Sequence, residues 1–412
     1  MLQTSRAAHL RTLAPRALLV LAGAFLLALS LLWGSAARAH APAAAGRATA
    51  HVADAELKPT GKVRRVAKHS RRTVKVPRRA RKVVRRAAKP RKPVQPARPV
   101  ASPSEPAAPN DPLWRDSWAL AKANAPAAWR FTTGRSETVV AVLDTGVDRG
   151  HPDLQGAFVA GYDVVNRDED PSDDHGHGTM VAGVIAARSN NELGVTSACW
   201  HCSLMPVKVI GADGTGNAGA VAEGIVWAAD HGAHVINLSF TMNGSDDGVA
   251  AAIELARSRG VVIVAAAGNN GTADPTYPAA YPGVVSVAGT DPADGRYSWS
   301  SYGGWVSLAA PGCNLTTAPG ATYGEFCGTS SATAFVSGFA GLVRSFAANL
   351  SADEVTKALS VDAVPAEGTV AMGRLNGGAV LGAFGAISGT GTDAASAPLE
   401  RAGKTVVGVD LP

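Results

Sequence analysis

Acidic residues are missing from one long stretch of this 412-residue chain: residues 58–98 hold 18 Lys and Arg and no Asp or Glu. Aromatics are just as scarce there, and from Ala41 to Pro109 the sequence is chiefly Ala, Pro, Lys and Arg. Without interleaved aromatics there is no sign of base stacking, so specific nucleic-acid recognition is not expected of this tract. With no periodic apolar pattern, residues 40–110 are expected to stay extended and disordered, held open by Pro and self-repelling charge. Counterion release would let residues 58–98 bind nucleic acid without sequence preference, an anionic lipid surface or an acidic envelope polymer. The plainer reading is a solvated tether, or a segment trimmed at its dibasic sites. Cysteine is scarce too, with Cys199, Cys202, Cys313 and Cys327 alone. Nothing else supplies metal partners at zinc-site spacing, which sets a zinc or redox reading of Cys199 and Cys202 behind two disulfides. Three pairings are open, of which Cys199–Cys202 with Cys313–Cys327 is the most local. The second would close a loop of about 15 residues, for which chain entropy gives roughly 3 kcal/mol.

The formal net charge of +6 averages two opposite parts. From Asp111 onward 16 Lys and Arg stand against 30 Asp and Glu, so a body of net charge −14 follows the polycation. At the other end, Arg6, Arg11 and Arg16 precede the uncharged stretch Ala17–Ala37, and Ala37-Arg38-Ala39 fits a small-x-small cleavage pattern. Residues 1–39 are expected to be a signal peptide or, uncleaved, a membrane anchor, since about 20 apolar residues span a bilayer. Both readings put the remainder outside the cytoplasm, secreted, periplasmic or anchored, where disulfides form.

An ordered body is expected over 111–387, ahead of a flexible tail at 388–412. Thr138–Leu143, Leu204–Ile210, Val235–Phe240 and Val261–Ala265 are runs suited to strands buried on both faces. Between them 178–187, 220–229 and 249–257 read as helices, and Ser351-Ala352-Asp353-Glu354 is a capping box opening a later one. This alternation predicts an α/β fold: a doubly wound, mostly parallel sheet with helices on both faces. In such sheets the working site lies beyond the carboxyl ends of the strands.

Four stretches carry the candidate chemistry. Val142–Asp148 puts Asp144 in a Gly turn at a strand end, and Asp174–Gly183 sets His177 at a small-residue helix start. Ala265–Gly271 places Asn269 just past a buried strand, and Gly328-Thr329-Ser330 opens an apolar helix where backbone N–H groups and the helix dipole meet. Singly, each reads as well as a turn, a core histidine or a helix cap.

Together, in the order Asp, His, Asn, Ser over roughly 111–385, they resemble the subtilisin-like serine peptidases, most closely the thermitase branch. That Asp…His…Ser order is the one known for subtilisin. The resemblance implies an endopeptidase with Ser330 as nucleophile, His177 as general base and acid, Asp144 orienting the imidazole, and Asn269 in the oxyanion hole. It also implies an extended peptide substrate pairing with Gly214-Thr215-Gly216, and a specificity pocket walled by Ser239-Phe240-Thr241 and Ala266-Ala267-Gly268. Structural Ca²⁺ is implied at Asp111, Asp153 and Asn191 with the carbonyls of Ser189, Leu193 and Val195. A second site is implied at Asp163, Asn166, Asp168 and Asp170, where an ordinary acidic turn is the alternative. The chain departs from the family pattern at Ser331 (usually Met), Ala334 (usually Pro) and Phe240-Thr241 (usually Leu-Gly). It also lacks any stretch in 40–110 able to fold as the usual α/β pro-segment. The reading is an exported, monomeric serine endopeptidase. The alternatives are a surface-binding protein working through its polycation and a processing peptidase dedicated to one partner.

Overall fold

The computed structural model describes residues 49–52, 57–59, 108–366 and 373–388. The expected leader, most of the basic tract and the tail at 389–412 lie outside these residues. Two short strands come first, β1 (Thr49–Val52) and β2 (Leu57–Pro59), followed by helices α1 (Trp118–Lys122) and α2 (Ala125–Trp129). Then come β3 (Val139–Asp144), β4 (Tyr162–Asp163), α3 (His177–Ala186), β5 (Ser203–Lys208), β6 (Thr215–Asn217) and α4 (Ala218–Asp230). The chain continues through β7 (Val235–Leu238), β8 (Phe240–Met242), α5 (Asp247–Ser258), β9 (Val262–Ala266), β10 (Val285–Thr290) and β11 (Leu308–Pro311). It closes with β12 (Cys313–Ala318), β13 (Thr322–Cys327), α6 (Thr329–Phe346), α7 (Ala352–Leu359) and α8 (Gly377–Ser388).

Seven strands form the central sheet in the order β11-β10-β9-β7-β3-β5-β4, every pairing parallel. Alternation along β3 divides its side chains between two cores. Val140 and Val142 join Val181 and Ile185 of α3 and Phe335 and Phe339 of α6. Ala141 and Leu143 join Val221 and Ile225 of α4 and Val249 and Ile253 of α5. Burial on both faces is why these strands read as unbroken apolar runs. The sheet is the doubly wound α/β architecture expected. The strand order reverses at β3, so its carboxyl end, Asp144, marks the switch point where such folds bind ligands.

Small antiparallel sheets flank this core. β12 and β13 pair with Cys313 opposite Cys327, and both local disulfides, Cys199–Cys202 and Cys313–Cys327, are formed. The expected capping box opens α7, with the Ser351 hydroxyl accepting from the Glu354 N–H and the Glu354 carboxylate from the Ser351 N–H. The expectation of disorder throughout 40–110 needs correcting. β1 lies between β6 and β8, and β2 lies on the edge of β13. Main-chain ladders need no apolar pattern in the added strand, which is why its sequence gave no sign of them. Among the described residues no helix is long and apolar enough to cross a membrane.

Candidate active site

Asp144 is fully buried at the end of β3. Its Oδ1 accepts the Thr145 N–H at 2.8 Å and lies 2.7 Å from His177 Nδ1. An ionised carboxylate can only accept, so the ring proton belongs on Nδ1 and Nε2 keeps a lone pair. Nε2 is buried and has no hydrogen-bond partner among the described residues. His177 opens α3, and Gly178 lets that helix settle onto β3: a Cβ there would stand 2.0 Å from the Gly146 carbonyl oxygen and 3.1 Å from Asp144 Cβ. The Phe326 ring packs edge-on against the imidazole, centroids 5.3 Å apart.

Side chains not singled out in the sequence hold this corner. The Asp173 carboxylate accepts from Thr145 Oγ1 at 2.8 Å and from the N–H groups of Gly176 and Thr179 at 2.7 and 2.9 Å. Thr145 Oγ1 in turn accepts the Gly178 N–H, tying the start of α3 to the end of β3. Lys208, opposite Asp144 in the β3–β5 register, is 1% exposed and gives its protons to Asp174 and to the Thr145 and Ile210 carbonyls. Three acceptors satisfy a buried ammonium.

Ser330 lies in the first turn of α6, after Gly328 at φ +133°. No side chain caps this helix, so Ser330 is not spent as a cap. Its Oγ donates to the Ser239 carbonyl at 2.9 Å, and Ser239 Oγ donates back to the Ser330 carbonyl at 3.0 Å. Asn237 and Ser337 extend that network beneath. Asn269 Oδ1 accepts from Thr329 N–H and Thr329 Oγ1 at 2.9 and 2.8 Å, and Thr329 Oγ1 accepts the Gly268 N–H. The amide is thereby turned so that Nδ2 faces the Gly328 turn, 3.0 Å from where a Cβ would sit. Asp144 ends β3, and Ser239 and Asn269 follow the neighbouring strands β7 and β9, which gathers the candidate groups at one end of the sheet. Ser331 Oγ accepts from Asn314 Nδ2 and Ala334 is buried, so neither departure disturbs α6.

β1 runs between Thr215 and Gly216 of the segment expected to pair with substrate and Phe240 and Thr241 of the expected pocket wall. The Thr241 methyl lies 3.3 Å from a Cβ built on Gly268, so these walls of the expected pocket face each other closely.

Residues 135–386 match the model of the subtilase family. The chain belongs to the subtilase family. It is 41% identical over 271 residues to thermitase from Thermoactinomyces vulgaris, covering 65% of this chain and 97% of that one. It is 42% identical over 228 residues to subtilisin BL from Lederbergia lenta, covering 55% and 83%. A solved structure of a protease from Pseudoalteromonas arctica PAMC 21717 superposes with a TM-score of 0.63 at 31% identity, covering 67% of this chain and 99% of that one. This subtilase is a serine-type endopeptidase.

The subtilase carries two acidic loops. In the first, Asp111 accepts the Asn190 and Asn191 N–H groups and the Thr196 hydroxyl. Asp153 accepts from Asn191 Nδ2 at 2.8 Å and the Val195 N–H at 2.9 Å. Both carboxylates are buried, and neither is paired with Lys or Arg among the described residues. Burial pushes Asp153 up to about 6, against its hydrogen bonds from Val195 and Asn191 and with the aid of the Asp111 charge. Burial and the neighbouring Asp153 push the Tyr323 phenol well above its usual range. Two hard, buried carboxylates short of positive charge fit a divalent cation such as calcium. The second loop satisfies itself. Asp163 accepts twice from Asn166, Asp168 accepts the Asp170 N–H, and Asp170 is taken by Arg149 and Ser172.

Proposed function

We propose that this subtilase is an exported endopeptidase in which Ser330 Oγ attacks the scissile carbonyl and His177 Nε2 takes its proton, then passes it to the leaving amine. Asp144 keeps the imidazole in the required tautomer and stabilises the imidazolium. The observation that carries this reading is the buried 2.7 Å contact between His177 Nδ1 and Asp144. A turn of the Ser330 side chain moves its proton from Ser239 to Nε2, and such catalytic bonds often tighten only with substrate in place. Asn269 Nδ2 and the Ser330 N–H would hold the oxyanion of the tetrahedral intermediate. The substrate is an extended polypeptide paired with 214–216 and 239–241, and the Thr241 methyl opposite Gly268 favours small side chains at the cleaved residue. Asp111, Asp153, Asn191 and the carbonyls of Ser189, Leu193 and Val195 would hold one Ca²⁺, which supplies the positive charge that the buried carboxylates lack. The loop of Asp163, Asn166, Asp168 and Asp170 reads better as a self-satisfied turn. The polycation at 58–98 would add affinity for an anionic surface that falls steeply with salt. Labelling with a fluorophosphonate probe tests the chemistry: folded wild type is labelled and Ser330→Ala is not, whereas an unlabelled folded wild type overturns it.

A further inference from the structure

Three metal-ligating side chains meet on one face of the β12–β13 pair. Cys313 stands opposite Cys327, with Cα atoms 4.1 Å apart. Glu325, two residues before Cys327, shares that face because side chains alternate along a strand. The two Sγ atoms and a Glu325 carboxylate oxygen all lie within 4.8 Å of one another. Cys313 and Glu325 also line a cavity of about 270 Å³ beside α1, whose described lining includes Asp116, Ser117 and Asn314 and no Lys or Arg. Two carboxylates and no basic group among those side chains make the cavity a way in for a cation. The other cysteine pair has different surroundings: Cys199 and Cys202 are fully buried against Gly134, Gly341 and Ser345.

We propose that Cys313, Cys327 and Glu325 become a zinc site when their disulfide is reduced: two thiolates and one carboxylate take a Zn²⁺ ion, which replaces the bridge as the tie between β12 and β13. A dithiol supplies the two electrons. Its thiols join as its own disulfide, the Cys313–Cys327 S–S bond breaks, and each sulfur takes up a proton. The ion then displaces both protons to water as two zinc–sulfur bonds form. A tetrahedral centre with Zn–S of about 2.3 Å and Zn–O of about 2.0 Å needs ligand atoms roughly 3.3–3.8 Å apart. Rotation of the cysteine side chains parts the sulfurs to that spacing, Glu325 turns toward them, and water from the cavity fills the fourth position. Soft thiolates favour such an ion over Ca²⁺, which sets this site apart from the Asp111–Asp153 loop. The restored tie holds the strands that carry Phe326, packed on the His177 imidazole, and Asn314, whose Nδ2 donates to Ser331 Oγ beside Ser330. The effect on activity rests on the peptidase reading above, and the binding does not.

Full-length protein, reduced with a dithiol and freed of it under argon, tests this with Co²⁺ as the probe. Reduced wild type binds Co²⁺ with a thiolate-to-cobalt charge-transfer band that Zn²⁺ removes, whereas oxidised wild type shows no band. Hydrolysis of a test peptide, lowered by reduction, recovers with Zn²⁺ and not with Ca²⁺. Glu325→Gln weakens Co²⁺ binding at least tenfold, since even an outer partner of a ligand is worth about 10–100-fold. Its disulfide still forms by intact mass, and its oxidised form hydrolyses the peptide at the wild-type rate. Cys313→Ser shows no band. A wild type without a band once Cys313 and Cys327 titrate as thiols, or an equal band in Cys313→Ser, overturns the site. Binding unchanged in Glu325→Gln overturns the carboxylate's part, and Zn²⁺ binding without recovered hydrolysis overturns the replacement of the tie. Folded oxidised protein that takes neither peptide nor fluorophosphonate, while its reduced form binds Co²⁺, overturns the peptidase reading and leaves the metal site standing.

Discussion

Asn269 is gripped through its carbonyl oxygen by Thr329, and that grip sets the direction of the amide nitrogen. Asn269→Ala is expected to lower kcat by about 10²–10³, the range known for the corresponding asparagine of subtilisin, with KM little changed in steady-state peptide hydrolysis. Thr329→Val removes the hydroxyl link and keeps the N–H, so a loss of about tenfold in kcat is expected, the worth of one hydrogen bond. Thr241→Gly should raise kcat/KM for peptides with a large aromatic residue at the cleaved position relative to those with Ala; an unchanged ratio would show that the Thr241 methyl does not bound the pocket. The candidate groups stood out in the sequence because each stands in a short, distinctive local frame, such as Gly-Thr-Ser or His-Gly-Thr. Asp173 was not, because Ser172-Asp173-Asp174 looks like any acidic surface turn until Thr145 and Thr179 are seen to converge on it. Lys208 was hidden for the opposite reason. It sits inside an apolar strand run, and the carbonyls that satisfy it come from just beyond β3 and just beyond β5.

Elements differ in how much of their cause is local. The α7 capping box was legible because both partners lie within four residues. The Ser351 N–H and then its hydroxyl hold the Glu354 carboxyl below the usual range. The stabilisation is therefore present above the unfolded carboxyl pKa and is lost as pH falls through the depressed folded value. Ser351→Ala should cost about 1 kcal/mol in denaturant unfolding at neutral pH and less in acid, where Glu354 is protonated. The strands β10 to β13 were not read in advance. Polar residues interrupt β10, β12 and β13, β11 is only four residues long, and β12 and β13 are fixed by each other and by hydroxyls such as Thr316 and Thr317, which reach the α3 carbonyls of Met180 and Thr179. The Cys313–Cys327 bridge ties these two strands immediately before the turn that leads to Ser330, whose Gly328 N–H donates to the Gly312 carbonyl. Mild reduction should lower activity before the far-ultraviolet circular dichroism changes; simultaneous loss of both would mean that the bridge supports the whole domain equally.

Over the whole molecule, the parallel sheet and the end that bears the site followed from strand–helix alternation, whereas the extra strands β1 and β2 followed from the open edges they meet. If the Asp111–Asp153 loop holds Ca²⁺ at about 100 times its Kd, the bound ion contributes about 2.7 kcal/mol. Chelation should then lower Tm by roughly 5–10 °C, and Asp153→Asn should abolish that difference; a Tm indifferent to chelator in wild type would remove the site.

The helix that carries Ser330 is buried from Thr329 to Ser345, and its neighbours come from strands far apart in the sequence. Such a helix has no stable existence ahead of the sheet that surrounds it, and sheets built from distant parallel strands close late in folding. Proteolytic power is therefore an all-or-none property of the finished molecule. A half-made copy has the residues of a protease without the capacity to cut.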